Sequence, residues 1–305
     1  MADWVEILFE VDGEGAEALA DMLRRYVTQG VAIEQMLERE AWPEEPIPPG
    51  KLLVRAYIPQ DDSTEAVKHQ IVEAAHYLSR LYPAIPAPRF NVVMEEDWAE
   101  AWKQHYHPIR VGQRLLIKPA WVEVETGPGD VVIEMDPGMA FGTGTHPTTQ
   151  LCLMACEWFC RPATSMVDIG TGSGILAIAG AKLGCYRVLA REIDEVAVRV
   201  AQENVARNGV ADRVIVQHGS LEGLVTSARH FDLGFANLTA RIILELAGQG
   251  LQHIIWPGGK FIFSGIIEDQ AAEVIEALDR IDLQLLGTRQ MGDWVMLITA
   301  RRIPE

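Results

Sequence analysis

Positive charge is scarce in this chain of 305 residues. Lys and Arg number 26 against 43 Asp and Glu, a formal net charge of −17. Binding along a nucleic-acid backbone rests on neutralising phosphates with cations, so no direct nucleic-acid partner is expected. Such a balance favours a basic protein partner instead, although acidity also serves solubility alone. Long apolar runs are missing too. No stretch reaches the roughly 20 residues that a membrane-spanning helix needs, and no early apolar run is built like a secretory signal. A cytoplasmic protein with no membrane partner is the expectation. Cysteine is sparse, with Cys152, Cys156, Cys160 and Cys185 and no Cys-x-x-Cys pair. The first three recur every four residues and share one helix face. Stacked along a single helix they cannot converge on a tetrahedral zinc, so no metal is expected. They read as small core-facing thiols in a reducing compartment.

Apolar residues are not lacking. They make up 49% of the chain, enough for the cores of two domains at this length. The first stretch, residues 1–94, alternates strand and helix patterns. Trp4–Val11 reads as a strand. Leu19, Met22, Leu23, Tyr26 and Val27 have helical spacing within Ala16–Val27. Val31–Glu38 and Leu52–Ile58 read as strands around the proline-rich "WPEEPIPPG". Asp62 with Glu65 resembles a capping pair before a helix running to about Leu81, and Phe90–Met94 closes the set as a strand. The order βαββαβ predicts a ferredoxin-like α+β domain suited to binding a substrate. Residues 95–121 read as a connector of one short helix and β structure. Trp98 and Trp102 lie on one face of that helix and His105 and His107 at its end. The histidines lack a carboxylate or thiol at ligand spacing and read as packing or surface residues.

Residues 122–305 predict an α/β domain with a Rossmann-like sheet. From Val131–Met135 onward strands alternate with helices. The last two strands, Leu283–Leu286 and Trp294–Thr299, form an antiparallel pair about a turn near Gly292. Within this region "VDIGTGSGILA" puts Gly170, Gly172 and Gly174 between a buried strand and a helix starting at Ile175. Glycines there let a backbone approach a ligand closely. Glu192 follows at the tip of the next strand, where a carboxylate accepts both ribose hydroxyls of a nucleoside. "GSGILA" also fits a dinucleotide fingerprint, so an NAD-dependent dehydrogenase is a legal alternative. Asp168 argues against it, because a carboxylate just before the first glycine repels a pyrophosphate and welcomes an ammonium. S-adenosylmethionine has an ammonium, a sulfonium and no phosphate, and is the expected cofactor. Asn237, at the carboxyl end of the strand Phe231–Ala236, is placed to hold a substrate amine or the amino-acid portion of the donor. It is the candidate catalytic residue, orienting the amine.

A second glycine loop, "MDPGMAFGTGTHPTTQ", precedes the first strand of that sheet. Phe141 is a candidate apolar wall, and Gly142 and Gly144 make the loop pliable. Thr148 and Thr149 open a helix whose amino terminus suits a carboxylate. His146 reads as a brace for the loop. Taken with "VDIGTGSGILAIAGAKLG", "EIDEVAVRVAQENVARNGV", "ANL" and "SGI", the segment from about Asp130 to the carboxyl end resembles the PrmA family of ribosomal protein L11 methyltransferases. The resemblance implies a class I methyltransferase that moves methyl groups from S-adenosylmethionine to amino groups of ribosomal protein L11, on lysine side chains, the amino terminus or both. It implies donor contacts from Thr149, Gly170, Glu192 and Asn237, with Phe141, Asp168 and Gly172 added by the reading above. It also implies that the first domain grips the ribosomal protein. Two departures stand out: relatives commonly carry Asp where Glu192 stands, and Ile-Leu where Leu238-Thr239 stands. Glu is one methylene longer and still reaches ribose hydroxyls. A different protein or small-molecule acceptor, and an assembly factor that only binds, are the remaining alternatives.

Overall fold

A computed structural model describes residues 4–11, 13–27, 31–35, 52–83, 85–93, 107–135, 144–227 and 229–304. These fall into two compact units, with the boundary between His107 and Pro108, inside the stretch read as a connector. Trp98, Trp102, His105, Phe141, Gly142 and the proline-rich loop lie outside the described residues.

In the first unit β1 (Trp4–Val11) buries Val5, Ile7, Phe9 and Val11 on one face, as the period of two demands. Helix α1 (Gly13–Leu23) answers with Ala16, Leu19, Ala20 and Leu23, spaced for a single helical stripe. Strands β2 (Val31–Gln35), β3 (Leu52–Pro59) and β4 (Arg89–Val93) complete an antiparallel sheet in the order β2-β3-β1-β4. Helix α2 (Thr64–Leu78) contributes Ile71 and Ala75 to the core. Its expected cap is corrected. The N-cap is Ser63, which makes no side-chain cap bond, and Asp62 plays no part. Asp61 organises the turn instead, its carboxylate accepting from the Ser63 amide at 2.8 Å while its own amide donates to Thr64 Oγ1 at 2.7 Å.

The second unit opens with a small sheet, β5 (Ile109–Val111), β6 (Leu115–Lys118) and β7 (Val131–Glu134), with β6 and β7 parallel. Sequence alternation assigns β7 to the large sheet; the structure pairs it with β6. Helix α3 (Pro147–Phe159) follows, one residue earlier than the threonines suggest, because His146 serves as its N-cap and Pro147 suits the first turn. The large sheet comprises β8 (Ser165–Ile169), β9 (Arg187–Glu192), β10 (Val214–His218), β11 (Phe231–Asn237), β12 (Ile255–Ile267), β13 (Leu283–Met291) and β14 (Trp294–Arg301). Their order is β10-β9-β8-β11-β12-β14-β13, parallel except for β14, which runs antiparallel to both its neighbours.

Helices α4 (Ile175–Lys182), α5 (Glu195–Arg207), α6 (Ala240–Gly248) and α7 (Glu268–Arg280) connect the strands. Every residue of β8 is buried, which is why its sequence reads as a nearly continuous apolar run around Asp168. Strand order reverses between β8 and β11. That switch point opens a crevice at the carboxyl ends of the strands, the place where such sheets bind ligands.

Candidate functional site

The glycine loop leaves β8 at the switch point. Gly170, Gly172 and Gly174 have φ of 73°, 55° and 84°, a region that side chains make costly. Gly170 and Thr171 both donate their amides to the Arg191 carbonyl, at 2.8 and 3.0 Å, and Gly174 closes the turn onto the Thr171 carbonyl at 2.9 Å. Gly170 also has no room for a side chain: a Cβ there would lie 2.5 Å from Leu238 Cδ2. Helix α4 therefore starts with its positive end and bare backbone facing the crevice.

Glu192 ends β9 beside this loop. Its carboxylate is held by three backbone amides, Gly172 at 2.9 Å, Ile193 at 2.8 Å and Asp194 at 3.1 Å. The acid is thus fixed before any ligand arrives, with lone pairs left to accept hydroxyl hydrogens. The Gly172 amide, which a dinucleotide site would offer to phosphate, is already engaged by a carboxylate.

Asp168 lies under the loop and is almost fully buried. Its Oδ2 accepts the Thr171 hydroxyl at 2.6 Å, while Oδ1 is buried with no hydrogen-bond partner. Burial above all, with the charge of Glu192 adding to it, pushes its carboxyl up to about 7; Thr171 and the nearby Ala177 amide pull the other way. Asn237 ends β11. Its amide nitrogen donates to Thr149 Oγ1 at 3.4 Å, and its Oδ1 is also buried without a partner. Phe235 is the register partner of Asp168, so Asn237, two residues on, shares the same sheet face. Two lone acceptors therefore face the same crevice.

His146 braces the start of α3. Its Nδ1 accepts the Thr148 amide at 3.3 Å and lies 2.7 Å from the Thr148 hydroxyl, and its ring meets Trp294 edge-on at 4.9 Å. Burial lowers its pKa to about 3, so it is neutral and weakly basic near pH 7. The cysteines are all buried and free, and burial pushes the Cys152 thiol well up. Among the described residues no group of three or more ligating side chains could hold a metal.

The structure brings Asp168, Gly170, Gly172, Glu192, Asn237 and Thr149 to one edge of one sheet. Sequence reasoning missed Thr171, which anchors Asp168, and Leu238, which closes over Gly170. Thr171 sits inside the glycine motif and was readable as a polar neighbour; Leu238 stands in the "ANL" motif, but nothing local says that it packs on Gly170. A cationic, phosphate-free nucleoside fits this donor set. The carboxylate of Asp168 suits its ammonium and Glu192 its ribose, whereas a pyrophosphate would meet two acids.

The family described as Ribosomal protein L11 methyltransferase (PrmA) matches residues 3–302. The chain belongs to this family. It is 42% identical to the ribosomal protein L11 methyltransferase of Chloroflexus aurantiacus, over 98% of each chain. It is 38% identical to that of Listeria innocua, over 99% of each. A crystal structure of ribosomal protein L11 methylase from Lactobacillus delbrueckii subsp. bulgaricus is similar at 37% identity with a TM-score of 0.60, covering 65% of this chain and 100% of that one. Methyl transfer is therefore the chemistry of this protein, and S-adenosylmethionine its donor. The dehydrogenase alternative falls away.

Proposed function

We propose that this protein methylates amino groups of ribosomal protein L11, on lysine side chains, the amino terminus or both, in the cytoplasm. The observation that carries the reading is the pair of buried, partnerless acceptors, Asp168 Oδ1 and Asn237 Oδ1, on one face of adjacent strands. An unmade hydrogen bond in such a place is costly until a donor fills it. Asp168 takes the ammonium of the methyl donor. Asn237 Oδ1 accepts an N–H of the incoming amine.

When bound, S-adenosylmethionine supplies a methyl carbon activated by positive sulfur. The residues of the chain have to align and shield rather than activate. Glu192 receives the ribose hydroxyls, and the amino terminus of α3 at Thr149 faces the donor carboxylate. Gly170 and Gly172 let the backbone close against the nucleoside. The acceptor amine has to be neutral, and a lysine is ordinarily protonated below a pKa of about 10.4. His146 is too weak a base to take that proton, so it leaves to water while Asn237 aims the lone pair. The first unit grips the ribosomal protein, and the net charge of −17 supports an encounter with a basic partner.

Replacing Asn237 by Ala removes one oriented hydrogen bond. Turnover on ribosomal protein L11 should fall about ten- to a hundredfold, and affinity for S-adenosylhomocysteine should fall less. Radiolabelled methyl transfer and calorimetry measure the two. Full turnover in that variant would remove Asn237 from the mechanism.

A further inference from the structure

Arg191 joins three parts of the crevice. It is the penultimate residue of β9, and its carbonyl takes the amides of Gly170 and Thr171 from the glycine loop. Its guanidinium reaches the other way, to the segment after β10. Nε donates to the Ser220 carbonyl at 3.0 Å, Nη2 to the Glu222 carbonyl at 3.2 Å and Nη1 to Gln217 Oε1 at 3.3 Å. Gly219 has φ of 117°, and a Cβ there would lie 2.6 Å from Nη2, so only glycine lets the fork close. The segment is held from two more points: the Gly219 amide donates to the Glu192 carbonyl at 2.7 Å, and Leu221 is buried in the same core cluster that holds Leu189 and Ile169. A planar five-donor guanidinium is the side chain suited to holding several carbonyls at fixed angles.

The position of this segment gives the bolt its meaning. With the ribose on Glu192 and the amino-acid end over β8 and β11, the base has one direction left, away from β11 and toward β10. Residues 218–222 leave the carboxyl end of β10 on that side, next to Glu192. We infer that Arg191 is the positioning residue for the base end of the donor pocket, holding residues 217–222 in the shape that receives adenine. This inference rests on the donor reading above. Arg191 does not touch the reacting atoms; it acts through the segment it holds.

The test separates the two ends of the pocket. Calorimetry and competition assays on the full chain compare adenosine, which lacks the amino-acid half, with S-adenosylhomocysteine. Arg191→Ala should weaken both by the same factor, about ten- to a hundredfold, because the loss is one of preorganisation at the base end. The donor KM should rise correspondingly, and kcat at saturating donor should change far less. Asn237→Ala, at the opposite end, should leave adenosine affinity where it was. Arg191→Lys keeps the charge and reaches fewer acceptors, so it should fall between wild type and Ala; it also serves if the Ala variant does not fold. The inference is overturned if both Arg191 variants bind adenosine as the wild type does, or if kcat rather than KM carries the loss. Should the wild type itself bind no S-adenosylhomocysteine, the donor reading fails instead, so the two failures are told apart.

Discussion

Asp168 is the residue at which burial and function meet. Its carboxyl is raised from 3.8 to about 7 by burial, so in the folded protein the proton is held more tightly than in the unfolded chain. Stability from this group is full below about pH 4 and is lost as pH rises through 7. A bound ammonium reverses the preference, because it favours the charged carboxylate. Donor affinity should therefore climb with pH up to about 7 and then level off. Below that point the affinity for S-adenosylhomocysteine should drop by up to about tenfold per pH unit. Asp168→Asn should be weaker and flat across the same range. Calorimetry from about pH 5.5 to 8.5 decides it, and a similar slope in the Asn variant would move the titration to another group. Asp168 and Asn237 were legible in sequence, since each stands at a fixed offset from a strand end. Arg191 was not: its partners Gln217, Ser220 and Glu222 lie 26, 29 and 31 residues away, and only the pairing of β9 with β10 brings them near.

At the scale of elements, the sequence is readable where a pattern is local and opaque where a partner is distant. The seven strands of the large sheet announce themselves by apolar runs, and the glycine loop by its spacing. Strand β7 carries the same kind of run, yet nothing local says that it pairs with β6. Strand β12 is longer than its apolar part because it starts at Ile255, before Pro257, Gly258 and Gly259, residues that normally end strands. The register shift between Phe231 and Leu233 of β11, opposite Ile255 and Lys260, absorbs that interruption. The small sheet has a fastener of its own. Glu157, on α3, accepts the amides of Gln113, Arg114 and Leu115 at 2.9, 2.6 and 2.9 Å, pinning the β5–β6 turn to the helix. Gly112 leaves the space that this carboxylate fills. Glu157→Ala strands three amides, two of them within reach of water, and should cost about 2 kcal/mol of stability. The midpoint of urea unfolding measures that cost, and an unshifted midpoint would mean the turn holds without the acid.

For the whole molecule, the division of labour follows from where the chemistry lies. Every described residue assigned to the donor pocket belongs to the unit that starts at Pro108, and the small sheet begins there as well. Among the described residues, none of the βαββαβ unit before it is assigned to that pocket, and its strands and helices bury an apolar core of their own. A unit with its own core is expected to fold by itself. If donor handling and substrate capture are separate tasks, cutting the chain there should separate them. A fragment of residues 108–305 should bind S-adenosylhomocysteine within about threefold of the full chain, a difference under 1 kcal/mol. Its kcat/KM toward ribosomal protein L11 should collapse, chiefly through KM, if the first unit supplies the grip as proposed, since binding energy remote from the reacting amine is then lost. Added salt should lower the efficiency of the full chain as well, since an acidic enzyme meeting a basic protein is screened. Mass spectrometry of the ribosomal protein and calorimetry with the donor product read the two properties independently. A fragment that methylates the ribosomal protein as efficiently as the full chain would show that the second unit recognises its substrate unaided, and the first unit would then need another role.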